Sequence, residues 1–483
     1  MSEEIRNVRL EKAARFRERG IEPYAARFER SHSLSEAAAL PEGTKEVRLA
    51  GRLVTFRNIG KLVFARLQDR SGSVQISLEQ DVLGKDAYRD WKKDLDIGDI
   101  VGVGGEIFRT KRGEITLRCD TVQMLSKSLR SLPEKWHGLT DREVKYRQRY
   151  LDLITSEEAR EIFRLRTRLC RSLRSYLDAN GFEEVETPVL APHASGALAR
   201  PFVTRHQALG VDMYLRIAPE TYLKRLVVGG YERVYEFARC FRNEGLDPTH
   251  LQDFTMLEYY VAYWDYRDNM KFTEKLLKAA IQEVTGGLKI EFGGHEIDLD
   301  GDWPSVDLFD GLQKECGLDR KSLEDVDTLK RAARDRGVAE EELSTLGRVG
   351  LIDVLFKKAL RPAMIRPTFL TGHPIEISPL ARRSSEDPGV ADRFQLVIGG
   401  WEIVNAYSEL IDPLEQRRRL EEQARGRDDE RMVKEEDYLL AMEYGLPPTS
   451  GFGLGVDRLV ALVSGNENLR DVVLFPLMRP EDG

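Results

Sequence analysis

Cysteine is scarce: there are four in 483 residues (Cys119, Cys170, Cys240 and Cys316), and no two form a CxxC pair. That scatter argues against a zinc site or a disulfide framework and suits the reducing cytoplasm. No apolar run approaches the roughly 18 residues a membrane-spanning helix needs, so no membrane association is expected. The opening segment, MSEEIRNVRLEKAARFRERG, is charged throughout and lacks the apolar centre of a secretory signal. Neither a GxxxxGK run followed by Ser or Thr nor a strand–GxGxxG–helix unit occurs, which argues against P-loop and Rossmann nucleotide sites. No internal repeat is visible, so solenoids and propellers are out.

What the chain does have is enough length for two or three domains. Its 41% hydrophobic and 32% charged residues fit a globular protein. The net charge of −8 hides an asymmetry. Residues 1–150 hold 30 Lys/Arg against 23 Asp/Glu, a net of +7, and the remainder holds 44 against 59, a net of −15. A basic front on an acidic body hints at a polyanionic partner.

Along the chain, residues 1–30 read as an exposed amphipathic helix that Pro23 ends. From Val47 to Leu125 five short β runs follow, separated by Gly-containing turns and interrupted by one helical insert, QDVLGKDAYRDWKKDL. Their number and order match a five-stranded OB-fold barrel. The expected division is a helical extension over 1–45, the barrel over 46–130, a linker over 131–160 and a larger body over 161–483. The body starts from the helix SEEAREIFRLRTRLCRSLRSYLDANG, closed by Asn180-Gly181. Gly- and Pro-containing β stretches run to about residue 262. Helix is expected over 266–285 and in an insertion at about 307–362, with strands again at 394–411.

Three segments carry chemistry. In VYEFARCFRNEGLDPTHLQDFTMLEYYVAY (234–263) the spacing predicts strand, loop, strand. Arg242 and Glu244 share one face of the first strand, and Phe254, Met256, Glu258 and Tyr260 share one face of the second. So many charges on a half-buried face imply either a ligand or a structural salt-bridge network. In GGWEIVNAYSEL (399–410), Asn405, Tyr407 and Glu409 alternate onto one face, as half-buried strands do by default. If the two faces oppose each other, they form a slot with aromatic walls for a methylene chain and carboxylates for a terminal cation, the shape and charge of lysine. In GFGLGVDRLVAL (451–462), Gly451, Gly453 and Gly455 permit close backbone approach by a ligand or simple helix–sheet packing, and Arg458 opens a helix. A planar guanidinium there can stack on a base and donate to phosphate.

Together these segments resemble motifs 2 and 3 of class II aminoacyl-tRNA synthetases. GFEEVETPVL resembles motif 1, with Pro188 where that family forms its dimer interface. ARPFVTRHQALGVDMYLRIAPETYLKRLVVGG, HPIEISPLARR and RDVVLFPLMRP are similar to the lysyl members throughout, so the resemblance covers nearly the whole chain. It implies an α+β protein, an OB-fold barrel followed by a catalytic domain built on an antiparallel sheet flanked by helices. It also implies ATP-dependent activation of L-lysine with Mg²⁺, transfer to lysine tRNA, and a homodimer.

The resemblance further implies roles for individual residues. Glu220 and Gly196 would hold the α-amino group. Arg242 would bridge the lysine carboxylate and the α-phosphate, with Asn405 on the carboxylate. Tyr407 would flank the methylenes, and Glu258, Tyr260 and Glu409 would surround the ε-ammonium. Phe254 and Arg458 would sandwich adenine, with Glu244 near its amino edge and His250 near the phosphates. In the barrel, Phe64 and Gln75 match positions that stack on and hydrogen-bond the anticodon, with Arg57 and Glu114 as nearby contacts; an ordinary barrel-core role is the alternative for Phe64.

Two departures stand out. The family usually has two acidic Mg²⁺ ligands seven residues apart; here the second is Glu402, but Gln395 stands at the first and brings an oxygen without charge. Tyr407 replaces a commoner phenylalanine. Within the family, aspartyl- or asparaginyl-type charging would need cationic or amide groups where Glu258 and Glu409 stand. The paralogue that modifies elongation factor P lacks the barrel. A synthetase-like binding protein without activity is favoured by Gln395 and opposed by Arg242, Glu402 and Arg458.

Overall fold

The computed structural model describes residues 2–133, 141–193, 199–245, 247–425 and 435–481. The chain divides into two compact units, Met1–Thr140 and Asp141–Gly483.

The first unit is a closed barrel of β1 (Val47–Ile59), β2 (Leu62–Gln68), β3 (Ser73–Glu79), β4 (Ile100–Arg109) and β5 (Ile115–Ser126), paired in the order β1-β2-β3-β5-β4. Alternation builds it: Val63, Ala65 and Leu67 of β2, with Val74, Ile76 and Leu78 of β3, fill the interior. Closure removes free sheet edges. The insert between β3 and β4 forms two helices, Gln80–Leu83 and Lys85–Asp94.

The N-terminal helix departs from expectation. α1 spans Ser2–Glu18, and the chain turns at Gly20 (φ +72°), before Pro23. It is docked, not exposed: Phe16 is fully buried with its ring centroid 5.3 Å from that of Trp91. Burying such a side chain contributes about 1.5–3 kcal/mol. Arg15 and Arg19 clamp buried Asp94 at 2.7 and 2.8 Å, and Lys12 meets Asp96 at 2.7 Å. Those acidic partners lie some 80 residues away, so the helix's own periodicity could not show them.

In the second unit two short helices, Arg142–Arg147 and Arg149–Thr155, precede α2 (Glu157–Ala179). Ser156 caps α2 by accepting from the Ala159 N–H, and Glu157 and Glu158 suit its positive end. Leu169, Leu173 and Leu177, four apart, bury one stripe, and Asn180-Gly181 (Gly181 φ +77°) ends the helix.

An eight-stranded sheet forms the centre. Its strands are β6 (Glu183–Glu184), β7 (Arg233–Phe241), β8 (Asp253–Ala262), β9 (Ser305–Asp307), β10 (Thr368–Thr371), β11 (Arg393–Ile398), β12 (Trp401–Ser408) and β13 (Thr449–Gly455). Their order is β9-β10-β11-β12-β13-β8-β7-β6, antiparallel except at the two outer pairs. One face packs α2, α4 (Tyr266–Thr285) and α6 (Val456–Ser464) onto Leu257, Tyr259, Val261, Ala406 and Phe452, with Tyr259 and Phe452 stacked at 4.2 Å. The other face carries the site.

Within the stretch expected to be β-rich, Glu220–Val228 is a helix, α3, that buries Leu223 and Val227. The insertion between β9 and β10 is helical from Leu308 to Ala363 with breaks, around its own cluster of Leu312, Leu329, Leu351 and Leu355. α5 (Glu436–Glu443) packs Tyr438, Leu439 and Met442 beside α3.

Candidate functional site

Glycine shapes the cavity. β13 lies between β8 and β12, so Gly453 sits between Glu258 and Asn405 in register, and Gly451 sits between Tyr260 and Tyr407. The middle strand has no side chains at these rows and makes a floor, while its neighbours supply walls two strand spacings, about 10 Å, apart. The expected slot exists, but its walls rise from one sheet face and do not come from two opposed faces. A Cβ at Gly451 would collide with Glu409 Oε1 and the Tyr260 ring. At Gly451 the close approach is by the chain's own side chains. The resulting cavity is about 290 Å³ and is also lined by Glu220, Arg242, Glu244, His250, Phe254, Met256, Glu402 and Arg458.

Phe254, Met256, Glu258 and Tyr260 occupy alternate positions of β8, as expected. Arg242 and Glu244 do not lie on a strand: β7 ends at Phe241, and both sit in the following loop, with Glu244 exposed. The Arg242 N–H still donates to Gln252 O in register with the ladder, and the chain leaves it at Glu244, whose N–H turns back to Arg242 O.

The charges segregate. The Arg242 guanidinium lies 5.1 Å over the Phe254 ring, and its Nε is buried without a hydrogen-bond partner. Arg458 donates to the Glu402 carbonyl oxygen at 3.0 Å and approaches His250 Nε2 at 3.4 Å. Among the described residues no carboxylate pairs with either arginine, which leaves that end able to receive anions. At the other end Glu258 is 4% exposed, and Tyr260 donates to it at 3.3 Å. No cation within the described residues pairs with it. Burial, with Glu220 nearby, holds its carboxyl well above the usual range. A ligand that is anionic at one end and cationic at the other satisfies both.

Beside Glu258 lies a residue the sequence reading passed over. Lys224, fully buried on α3, sits 2.6 Å from Glu220 Oε1 and 2.5 Å from Glu409 Oε2. The rings of Tyr260, Tyr407 and Tyr438 surround it at 5.8, 5.6 and 5.5 Å. Burial would lower its pKa, but Glu220 and Glu409 raise it above the ordinary lysine value. Tyr407 also donates to Glu220 Oε1 at 2.5 Å. Glu409 itself is 1% exposed and lies behind Gly451 and Tyr260 instead of on the cavity wall, already paired with Lys224. The i, i+4 spacing of Glu220 and Lys224 was a local signal for part of this cluster; the long-range partners left none.

Gln395 does not join the cavity lining. It is 7% exposed, and its Oε1 lies 3.2 Å from Nε2 of buried His373. The oxygen that could ligate a metal is thus engaged, while Glu402 faces the cavity alone. Among the described residues no group of three or more His, Cys, Asp or Glu could hold a metal. Asn405 accepts from Arg393 Nε at 2.8 Å, which orients its amide. Gly196 lies outside the described residues.

On the barrel, Phe64 points away from the core formed by Val63, Ala65 and Leu67 and is half-buried on the outer face. Arg57 lies opposite it across β1–β2. Gln75 donates to Thr116 Oγ1 at 2.9 Å, and Glu114 is paired with Arg66. An outward aromatic flanked by Arg57, Arg66, Gln75 and Arg118 is a stacking surface of the kind that OB barrels offer to single-stranded bases.

Residues 141–479 match the family model of tRNA synthetases class II (D, K and N), and residues 47–125 match that of the OB-fold nucleic acid binding domain. The chain is 48% identical to a lysine–tRNA ligase of Carboxydothermus hydrogenoformans, over 99% of both chains. It is 46% identical to one of Pelotomaculum thermopropionicum (99% of this chain, 96% of that one) and 47% identical to one of Syntrophomonas wolfei (99% and 97%).

Proposed function

Because the chain belongs to the class II tRNA synthetases (D, K and N), and among them to the lysine–tRNA ligases, we propose that the glycine-floored cavity holds lysine and ATP together, with the residue roles set out below. The function is lysine–tRNA ligation: ATP activates L-lysine to lysyl-adenylate, pyrophosphate leaves, and lysine passes to tRNA.

The observation that carries the assignment is the segregation of unpaired charge, Arg242 and Arg458 at one end and Glu258 at the other. Lysine fits with its ε-ammonium on Glu258 and Tyr260, its methylenes along Tyr407, and its carboxylate toward Asn405 and Arg242. Its α-ammonium meets Glu220 through Oε2, the oxygen that Tyr407 and Lys224 leave. Adenine stacks between Phe254 and Arg458, with Glu244 at its amino edge and His250 toward the phosphates. Attack of the lysine carboxylate on the α-phosphate brings two anions together. Arg242 stabilises both and holds them in line.

The family works with Mg²⁺ and ATP. Glu402 fits that metal as a single carboxylate, to be completed by nucleotide phosphates, and the metal would screen their charge. Gln395, turned to His373, is not part of our metal assignment. The barrel face carrying Phe64, Gln75, Arg57 and Glu114 takes the anticodon, and Gly196 keeps its role on the α-amino group by resemblance alone. We further place the protein in the cytoplasm as a homodimer. Four unpaired cysteines support the first, and exposed apolar residues Val189, Leu190, Val203 and Val211 near Pro188 support the second.

ATP–pyrophosphate exchange over a panel of amino acids, alongside tRNA charging, tests the reading. Lysine alone should support both; exchange with aspartate or asparagine would overturn it. Lys224 does not suit those acids, since Glu220 and Glu409 already take its charge.

A further inference from the structure

The site keeps a cation of its own. Around the blind end of the cavity stand three buried carboxylates, Glu220, Glu258 and Glu409, and one buried ammonium, Lys224. Fully ionised, this set is short of positive charge by two, and a lysine substrate brings two ammonium groups. We propose that Lys224 is a positioning residue of the lysine site, a resident ammonium that bridges and fixes Glu220 and Glu409 and offsets one of the three carboxylates, so that the ionised pocket is left two positive charges short. The proposal rests on the reading that this cavity takes lysine.

Three features of the geometry support it. Lys224 Nζ bridges the two carboxylates at 2.6 and 2.5 Å, so it sets the distance between the oxygen that turns toward the cavity from α3 and the charge behind Gly451. Its cage shares two rings, Tyr260 and Tyr407, with the cavity wall, so the resident ammonium and the cavity are bounded by the same aromatic pair. A hydrophobic residue of similar volume would often fold as well as a buried ion pair, so stability alone does not account for a charge here. The groups that face Lys224 come from every element around it: Glu220 from α3, Tyr407 and Glu409 from the end of β12 onward, Tyr260 with Glu258 from β8, and Tyr438 from α5. All are acids or phenols, so no second cation can substitute.

Without Lys224, the carboxylates lose their shared counter-charge in a buried pocket, so a proton is held there more tightly than the one Glu258 already favours in the intact site. Activation then needs that proton to leave before lysine can bind. The test is pyrophosphate exchange by the full-length chain between about pH 6 and 9, in Lys224→Met, in Lys224→Met/Glu409→Gln and in Glu258→Gln. In Lys224→Met the acid limb of kcat/KM for lysine should move up by about one pH unit or more, with lysine KM raised about tenfold and ATP KM within about twofold. The double variant removes cation and carboxylate together, so its acid limb should return toward wild type. It should also fold even if the single variant does not.

An unmoved limb in Lys224→Met, equal damage to lysine and ATP use, a double variant that merely adds two defects, or unfolding of both would each overturn the proposal. Glu258→Gln separates this from the premise: if it leaves lysine KM untouched, the cavity itself has been misread.

Discussion

Glu258 is buried and pairs with no cation among the described residues, and burial with Glu220 nearby raises its pKa well above the ordinary carboxylate value. A group whose folded pKa lies above its unfolded one makes the empty fold lose stability as pH rises from the unfolded value toward the folded value. A lysine ammonium favours the ionised form, so binding expels the proton and lysine affinity should rise with pH until Glu258 is ionised unaided. Calorimetric titration with lysine at several pH values checks this; an affinity that falls or stays level with pH would contradict it. The metal position makes a second claim at this scale. Glu402 faces the cavity and Gln395 is turned to His373. Glu402→Gln should therefore raise the Mg²⁺ requirement of pyrophosphate exchange strongly, whereas Gln395→Ala should change it little. The reverse order in a Mg²⁺ titration would place the metal elsewhere.

At the scale of elements, what was legible in the sequence was periodicity. The alternation of Phe254, Met256, Glu258 and Tyr260, and of Asn405, Tyr407 and Glu409, marked strands that present one face to a ligand, and the structure puts all but Glu409 on the cavity. The five β runs of the barrel were legible for the same reason. What could not be read was anything set by distant partners. Gly451 leaves room for Glu409 and Tyr260, which lie 42 and 191 positions away. Lys224 looked like an ordinary helical lysine until Glu409 and Tyr438 came beside it. α1 looked exposed because its acidic partners lie on a later helix and turn. Arg242 and Glu244 followed a strand pattern past the point where β7 ends. The barrel's outward face supports a prediction of its own. Phe64→Ala should lose about 1–3 kcal/mol of base stacking, raising the tRNA KM in charging while lysine-dependent exchange without tRNA is unchanged. If both activities fall together, Phe64 serves the barrel's stability and not the anticodon.

At the scale of the whole molecule, the two units carry opposite charge. Residues 1–140 have a net of +5 and the rest −13, which suits a barrel that meets a polyanion and a body whose site concentrates carboxylates. No described helix is long and apolar enough to cross a membrane. The exposed Val189, Leu190, Val203, Leu209 and Val211 of the body mark the surface we assign to self-association. Sedimentation at micromolar concentration should give twice the 55.2 kDa chain mass; a single-chain mass would refute the dimer.

The central claim is that an unpaired buried carboxylate reads the side-chain ammonium of the substrate. Its most direct test compares lysine with norleucine, the same chain length without the charge, in pyrophosphate exchange by wild type and Glu258→Gln. Losing one partner of a buried pair costs about 3–5 kcal/mol, so discrimination should fall by roughly two to four orders of magnitude in the variant, with ATP KM unchanged. Discrimination that survives the substitution intact would show that another group reads the ammonium.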